Sequence, residues 1–278
     1  MNYEFKEITS FRASDGNNIR LECWNTVPST ADLAREYAMA GKPDRYVVFS
    51  EGQTKSPIIG TRLSDGAVER GVFISCILRP SFFPSQAGLL APLSAVALLG
   101  AFEEHTTKKA KIGWVSDIYY EGQKIGGCTI EGKLDSFSSY EYMIVSFALR
   151  LDNKFFTPRL TDMISKVFDE DNPSIPMIIT KTILNKFFDI YIDIKNPAKH
   201  MNTYKQRFLY YDRKIKYTQN GKKFSGKVIG VDKSSCALIV MNKSGETIEI
   251  TSPSAVISIS NFNPLSRLSK KQQINKKS

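Results

Sequence analysis

Hydrophobic and polar positions change period several times along this chain. Ile19 to Trp24 reads as a first strand. Pro28-Ser29-Thr30-Ala31-Asp32 then has the form of a helix start, with Ser29 as N-cap and Asp32 where a capping-box acid stands. That helix is expected to reach Ala40 and stop at Gly41. Tyr46 to Ser50 is a short apolar strand. Gly71 to Leu78 is apolar on both faces, as an interior strand is. Pro92 to Glu104 is an Ala/Leu-rich helix. Residues 111–119, 124–131 and 140–150 alternate as three strands, and the turn Glu121-Gly122-Gln123 makes the first two a hairpin. Helices follow over Arg159 to Phe168 and about 177–191. In the second, Ile179, Ile183, Phe187 and Tyr191 recur every fourth residue, which is a core stripe. A third helical stretch lies near Pro197 to Tyr211.

From Asp212 the texture changes to short strands broken by Asn220-Gly221 and Ser244-Gly245, the pattern of a small β-barrel. The expected architecture is an α+β domain over 1–211, a small β-domain over 212–262 and a basic tail over 263–278. No internal repeat is visible.

Composition narrows the classes. A chain of 278 residues with 42% hydrophobic residues suits one large and one small domain. No apolar run has the length of a membrane span, and Met1 to Glu7 does not read as a signal peptide, so no membrane partner and a cytoplasmic location are expected. Cys23, Cys76, Cys128 and Cys236 are far apart, without metal-ligand spacing, and read as buried thiols. His105 and His200 have no nucleophile motif beside them. The net charge is +10, and no acidic residue follows Glu249. The tail, with Arg267, Lys270, Lys271, Lys276 and Lys277, reads as a solvated end.

The most informative stretch is Lys111-Ile112-Gly113-Trp114-Val115-Ser116-Asp117, followed by Lys124-Ile125-Gly126-Gly127-Cys128-Thr129-Ile130-Glu131. It resembles the K-W-P-N-D and K-x-x-G-x-x-x-E strands of the biotin/lipoate protein ligase family, with Gly113 where that family has lysine. Ser29-Thr30-Ala31 resembles the family's S-T-N. Glu51-Gly52-Gln53 resembles its E-x-Q, and Leu78-Arg79-Pro80 agrees with the strand that follows. The family's glycine-arginine loop is represented by Ser56-Pro57-Ile58-Ile59-Gly60-Thr61-Arg62, in which only the last arginine survives. Arg150 stands where the family has asparagine. Phe224 to Asp232 resembles its C-terminal SH3-like module.

The resemblance implies a mixed sheet with flanking helices plus an SH3-like barrel. It also implies adenylation of a carboxylic acid by ATP with Mg, then transfer to a lysine of a biotinyl or lipoyl acceptor domain. Biotin or another carboxylic acid would be the substrate. Ser29, Thr30, Gln53, Trp114 and Gly127 are then candidates for the acid, and Arg62, Asp117 and Arg150 for the nucleotide. Lys111, two residues from Gly113 on one strand face, is the candidate substitute for the lost lysine. Each has a plainer reading: Ser29 as a cap, Trp114 as core, Lys124 as a strand-end lysine, Lys111 and Arg150 as a solvated strand edge. Cations and N–H donors aimed at the α-phosphate carry such catalysis, and Pro57, Ile58, Ile59 and Gly113 remove them. Three functions stay open: an active ligase with shifted acid choice, a relative that binds an acyl ligand, an acceptor domain or a partner protein without adenylating, and, remotely, a basic nucleic-acid-binding adaptor acting on RNA through the β-domain and tail. A nucleic-acid partner is not expected. Strand pairing into a homodimer is left open.

Overall fold

The computed structural model describes residues 4–55, 68–82, 84–106, 108–151 and 175–260. The expected helix at Arg159 to Phe168, the loop from Ser56 to Arg62 and the tail lie outside them. The strands of the larger part are β1 (Glu4–Arg12), β2 (Asn18–Thr26), β3 (Tyr46–Gln53), β4 (Glu69–Leu78), β5 (Lys111–Gly113), β6 (Asp117–Tyr120), β7 (Gln123–Leu134) and β8 (Tyr140–Arg150). The helices are α1 (Thr30–Met39), α2 (Leu90–Glu104), α3 (Ile175–Ile192) and α4 (Ala198–Arg207). The eight strands form one mixed sheet in the order β1-β2-β3-β4-β8-β7-β6-β5. The β2–β3 pair is parallel, with α1 as its crossover, and the other neighbours are antiparallel.

Alternation sorts the two faces. Leu21, Phe49, Ile74, Cys76, Val145 and Phe147 point to one side, where they join Leu98 of α2 and Ile183 and Phe187 of α3 in the main core. Residues Ala87–Glu104 are apolar enough by composition to cross a membrane, but here they are the buried helix under this sheet. On the other side Tyr46, Val48, Ile77 and Ile144 meet Ala34 and Ala38 of α1. Two alanines four residues apart let α1 lie close to the strands. Ser29 accepts the Asp32 N–H at 3.2 Å and is the N-cap of α1. Ser29→Ala is expected to lower stability by about 1 kcal/mol, read as a shift in the urea midpoint. An unchanged midpoint would dismiss the cap.

Two sequence expectations change. A strand, β1, precedes the one expected at Ile19. The single strand expected over 111–119 is a hairpin, because the chain turns back at Trp114–Ser116 so that Lys111 faces Tyr119 and Gly113 faces Asp117.

The C-terminal part is a five-stranded antiparallel sheet, β9 (Lys214–Gln219), β10 (Lys222–Val231), β11 (Leu238–Asn242), β12 (Thr247–Ile250) and β13 (Val256–Ile259). Its order is β12-β11-β10-β9-β13. The β5–β6 hairpin is bonded both to the end of the larger part and to the C-terminal part. The Leu209 N–H donates to the Ile112 carbonyl at 2.8 Å, and the Tyr204 hydroxyl donates to the Val115 carbonyl at 2.9 Å. The Trp114 indole N–H donates to the Cys236 carbonyl at 2.7 Å.

Candidate functional site

The register places the motif residues on the α1 side of the sheet. Asp117 lies opposite Gly127, and Gly127 lies opposite Ala148. Tyr119, two residues from Asp117, pairs with Lys124. Thr129 and Glu131 continue the row from Gly127 toward α1, so the second motif runs along one face by simple alternation.

At the α1 end the polar groups form a buried chain. Gln53 Oε1 accepts the Thr30 N–H at 2.6 Å and the Thr30 hydroxyl at 3.2 Å. The Ser75 hydroxyl donates to Thr30 Oγ1 at 2.9 Å and lies 2.8 Å from the Ser146 hydroxyl. Thr30 and Gln53, predicted from distant motifs, are therefore brought together. Beside them a cavity of about 550 Å³ is lined by Ser29, Ala31, Asp32, Arg35, Lys55, Thr129, Ile130 and Glu131. Arg35 pairs with Asp32 at 2.9 Å and with Glu131 at 2.7 Å, so its charge is matched within the wall. Lys55 also lines the cavity, and among the described residues no carboxylate forms an ion pair with it. Sequence reasoning missed Lys55, although its place two residues after Gln53 was a usable signal.

At the other end the charges are paired. Asp117 accepts from Lys124 at 2.7 Å and from the Tyr119 hydroxyl at 3.2 Å. Lys124 is thus a member of the site face rather than a strand-end lysine. Arg150 is buried, 7% exposed, and stands 2.5 Å from the wholly buried Glu69 on the neighbouring strand. Their contact is close in distance but is not an aligned hydrogen bond. The reading of Arg150 as a solvated edge is therefore corrected, and its charge is already compensated by Glu69.

The place beyond Gly113 is not vacant. A Cβ there would stand 2.5 Å from the Tyr119 ring and 2.9 Å from the Tyr210 hydroxyl. The two phenols are hydrogen-bonded to one another. Burial pushes the Tyr210 phenol up to about 12, and burial with the nearby Tyr210 and Asp117 raises that of Tyr119. Both therefore stay neutral and fill volume. Lys111 is exposed, and the space it was expected to refill is already filled by the two phenols. Trp114 is buried and bonded to the C-terminal sheet, and it does not line the cavity. Arg62 lies outside the described residues.

The four cysteines are buried free thiols. Burial raises the Cys128 thiol well above its usual range, so it is no thiolate nucleophile. Among the described residues no group of three or more His, Cys, Asp and Glu could hold a metal.

With this geometry in place, likeness to solved proteins can be stated. The biotin protein ligase of Aquifex aeolicus, as a point mutant bound to biotin, superposes with a TM-score of 0.66 at 18% identity over 86% of this chain and 97% of that one. This chain has the biotin/lipoate protein ligase fold. The same Aquifex ligase with biotin and ATP gives a TM-score of 0.64 at 17% identity, covering 86% of this chain and 97% of that one. A biotin protein ligase-like protein of unknown function from Silicibacter sp. TM1040 gives 0.61 at 15% identity, over 84% of this chain and 94% of that one. In sequence, the chain is 30% identical over 107 residues to the bifunctional ligase/repressor BirA of Bacillus subtilis. That match covers 38% of this chain and 33% of BirA, so it spans about a third of the relative's length. No protein-family model matches the sequence. On the sheet face that carries the motif residues, Thr30 and Gln53 meet at one end, and Arg150 and Lys124 are ion-paired at the other.

Proposed function

We propose that this protein is biotin-protein-ligase-like in binding a carboxylic acid at the α1–β7 cavity, and that it holds the acid or its acceptor domain without adenylating at an ordinary ligase rate. One observation carries the reading. A small-molecule-sized cavity, with Lys55 available for a carboxylate, adjoins the Gln53–Thr30–Ser75–Ser146 chain, while Tyr119 and Tyr210 occupy the space a lysine at Gly113 would need. The neighbours' complexes with biotin, and with biotin and ATP, support a biotin-type acid as the ligand class.

Among the described residues, neither Arg150 nor Lys124 is a spare cation for a triphosphate. Two carboxylates, Glu69 and Asp117, sit with Arg150 and Lys124 on that face, so a nucleotide would have to separate pairs already made. What this chain's residues supply is binding. Lys55 meets the carboxylate by a charge-assisted hydrogen bond, and Ala31 and Ile130 offer apolar wall to the acid's chain.

Calorimetry with biotin, lipoate and octanoate, run beside acid-dependent ATP–pyrophosphate exchange, tests this. Binding of one acid without exchange is expected. Lys55→Ala should weaken that binding about tenfold or more, the loss of one charged hydrogen bond. Exchange at a rate typical of ligases would overturn the inactive reading, and failure to bind any of the three acids would overturn acid binding. A second reading, an active ligase, is favoured by Lys124 standing on the same face as Gly127 and Asp117. It predicts exchange that Lys124→Ala abolishes and Lys111→Ala leaves intact.

A further inference from the structure

Positive charge is concentrated at one end of this protein. Residues 212–278 hold 13 of its 38 Lys and Arg but only 4 of its 28 Asp and Glu, so they carry nine of its ten net charges. Within the described residues the strand register collects part of that charge on one surface. Lys214 lies directly opposite Lys227, Ser225 opposite Lys216, and Lys223 opposite Thr218. On the far side of β9, Ser258 lies opposite Lys216. On the far side of β10, Met241 lies opposite Lys227 and Thr247 opposite Met241. The alternate positions Ile215, Tyr217, Val228 and Val240 are buried, so on β9 and β10 the lysines and hydroxyls face outward.

Two features set this face apart from an ordinary solvated surface. Like charges directly opposite across an antiparallel pair repel and are disfavoured. Here one such pair, Lys214 and Lys227, is kept, and only Asp212, bonded to Lys227, neutralises it. Between the lysines of β9 and β10 stand Ser225 and Thr218, with Ser258 beyond β9, while Met241 and then Thr247 and Glu249 border the face on the side of β11 and β12. Lysine point charges interleaved with hydroxyls are the groups that take phosphate oxygens, and alternate residues along a strand stand about 7 Å apart. Among the described residues, the face has no arginine fork and no aromatic ring to read or stack a base.

We infer that this outward face of the C-terminal sheet binds the phosphate backbone of nucleic acid without regard to base sequence. This takes up the remotest of the functions left open by the sequence, in which charge could be counted but not placed. It is independent of acid binding at the α1–β7 cavity. An acidic protein surface is the competing partner, and hydroxyls between lysines suit phosphate better than they suit carboxylates spaced on a folded surface.

The test is fluorescence anisotropy of the full chain with labelled 20-nucleotide RNA and DNA, single- and double-stranded, each in two unrelated sequences, at 50 and 200 mM salt. Equal affinity for the two sequences is expected, with binding that weakens steeply with salt. The triple variant Lys214→Gln, Lys216→Gln, Lys223→Gln should weaken binding about tenfold or more at low salt and reduce the salt slope by about three. A control changing the ion-paired Lys133 and Lys186 to Gln, on the larger part, should leave both unchanged. No binding at 50 mM salt overturns the inference. So does an unaltered slope in the triple variant, an equal effect in the control, or equal affinity for poly-glutamate.

Discussion

Glu69→Ala is expected to destabilise the ligase-like part by about 3–5 kcal/mol, the largest effect of any single change considered for this molecule. Glu69 is wholly buried on β4 and faces Arg150 at the end of β8. Removing it leaves a guanidinium inside the protein without its counter-charge, and arginine cannot shed its proton to escape. The pair need not itself be stabilising, because two charges lose their hydration when they enter the interior. For that reason Glu69→Leu with Arg150→Met should recover most of the loss. Both tryptophans, Trp24 and Trp114, belong to the larger part, so urea denaturation followed by tryptophan fluorescence reports on it. If Glu69→Ala stays within about 1 kcal/mol of the parent, the carboxylate is not holding Arg150, and Arg150 returns as a candidate for an anionic ligand.

Gly113→Ala should cost about 1–3 kcal/mol, because the added methyl enters space already occupied. Its nearest neighbours, the Tyr119 ring at 2.5 Å and the Tyr210 hydroxyl at 2.9 Å, are not loose chain ends. The Tyr119 hydroxyl donates to Asp117, and both phenols are buried. Gly113→Lys should be worse still, and should restore no pyrophosphate exchange. Combining Gly113→Ala with Tyr119→Ala should cost less than the two changes added together, because the second vacates the space the first requires. A Gly113→Ala protein as stable as the parent, or a Gly113→Lys protein that gains exchange, would show that the two tyrosines do not block this position.

Several elements were legible in the sequence for local reasons. Gly71 to Leu78 is apolar on both faces and is an interior strand between β3 and β8. Ser29 caps α1 as its place before Thr30 predicts, and Glu121-Gly122, both at positive φ, form the turn into β7. β1 escaped notice because Glu4–Arg12 is an edge strand mixing charged and apolar residues without clear alternation. The turn at Trp114–Ser116 escaped because apolar residues run straight through it. The fold implied by the ligase-like motifs was readable, and the structural likeness bears the fold out. The state of each motif residue was not. Arg150 looked like a spare cation until Glu69 was found beside it, and Lys111 looked like a neighbour able to fill a gap that two tyrosines already fill.

By itself the sequence determined most of the strands and helices, which residues share a strand face within them, and that Gly113 carries no side chain. Those properties follow from period and turn chemistry within a few residues. Only the tertiary structure decided that Tyr210, almost a hundred residues away, closes the space at Gly113. It alone placed Glu69 against Arg150, Lys55 at the cavity and Lys214 opposite Lys227. Charges and volumes act over a few ångströms of space, and register and packing, not distance along the chain, bring those groups within range.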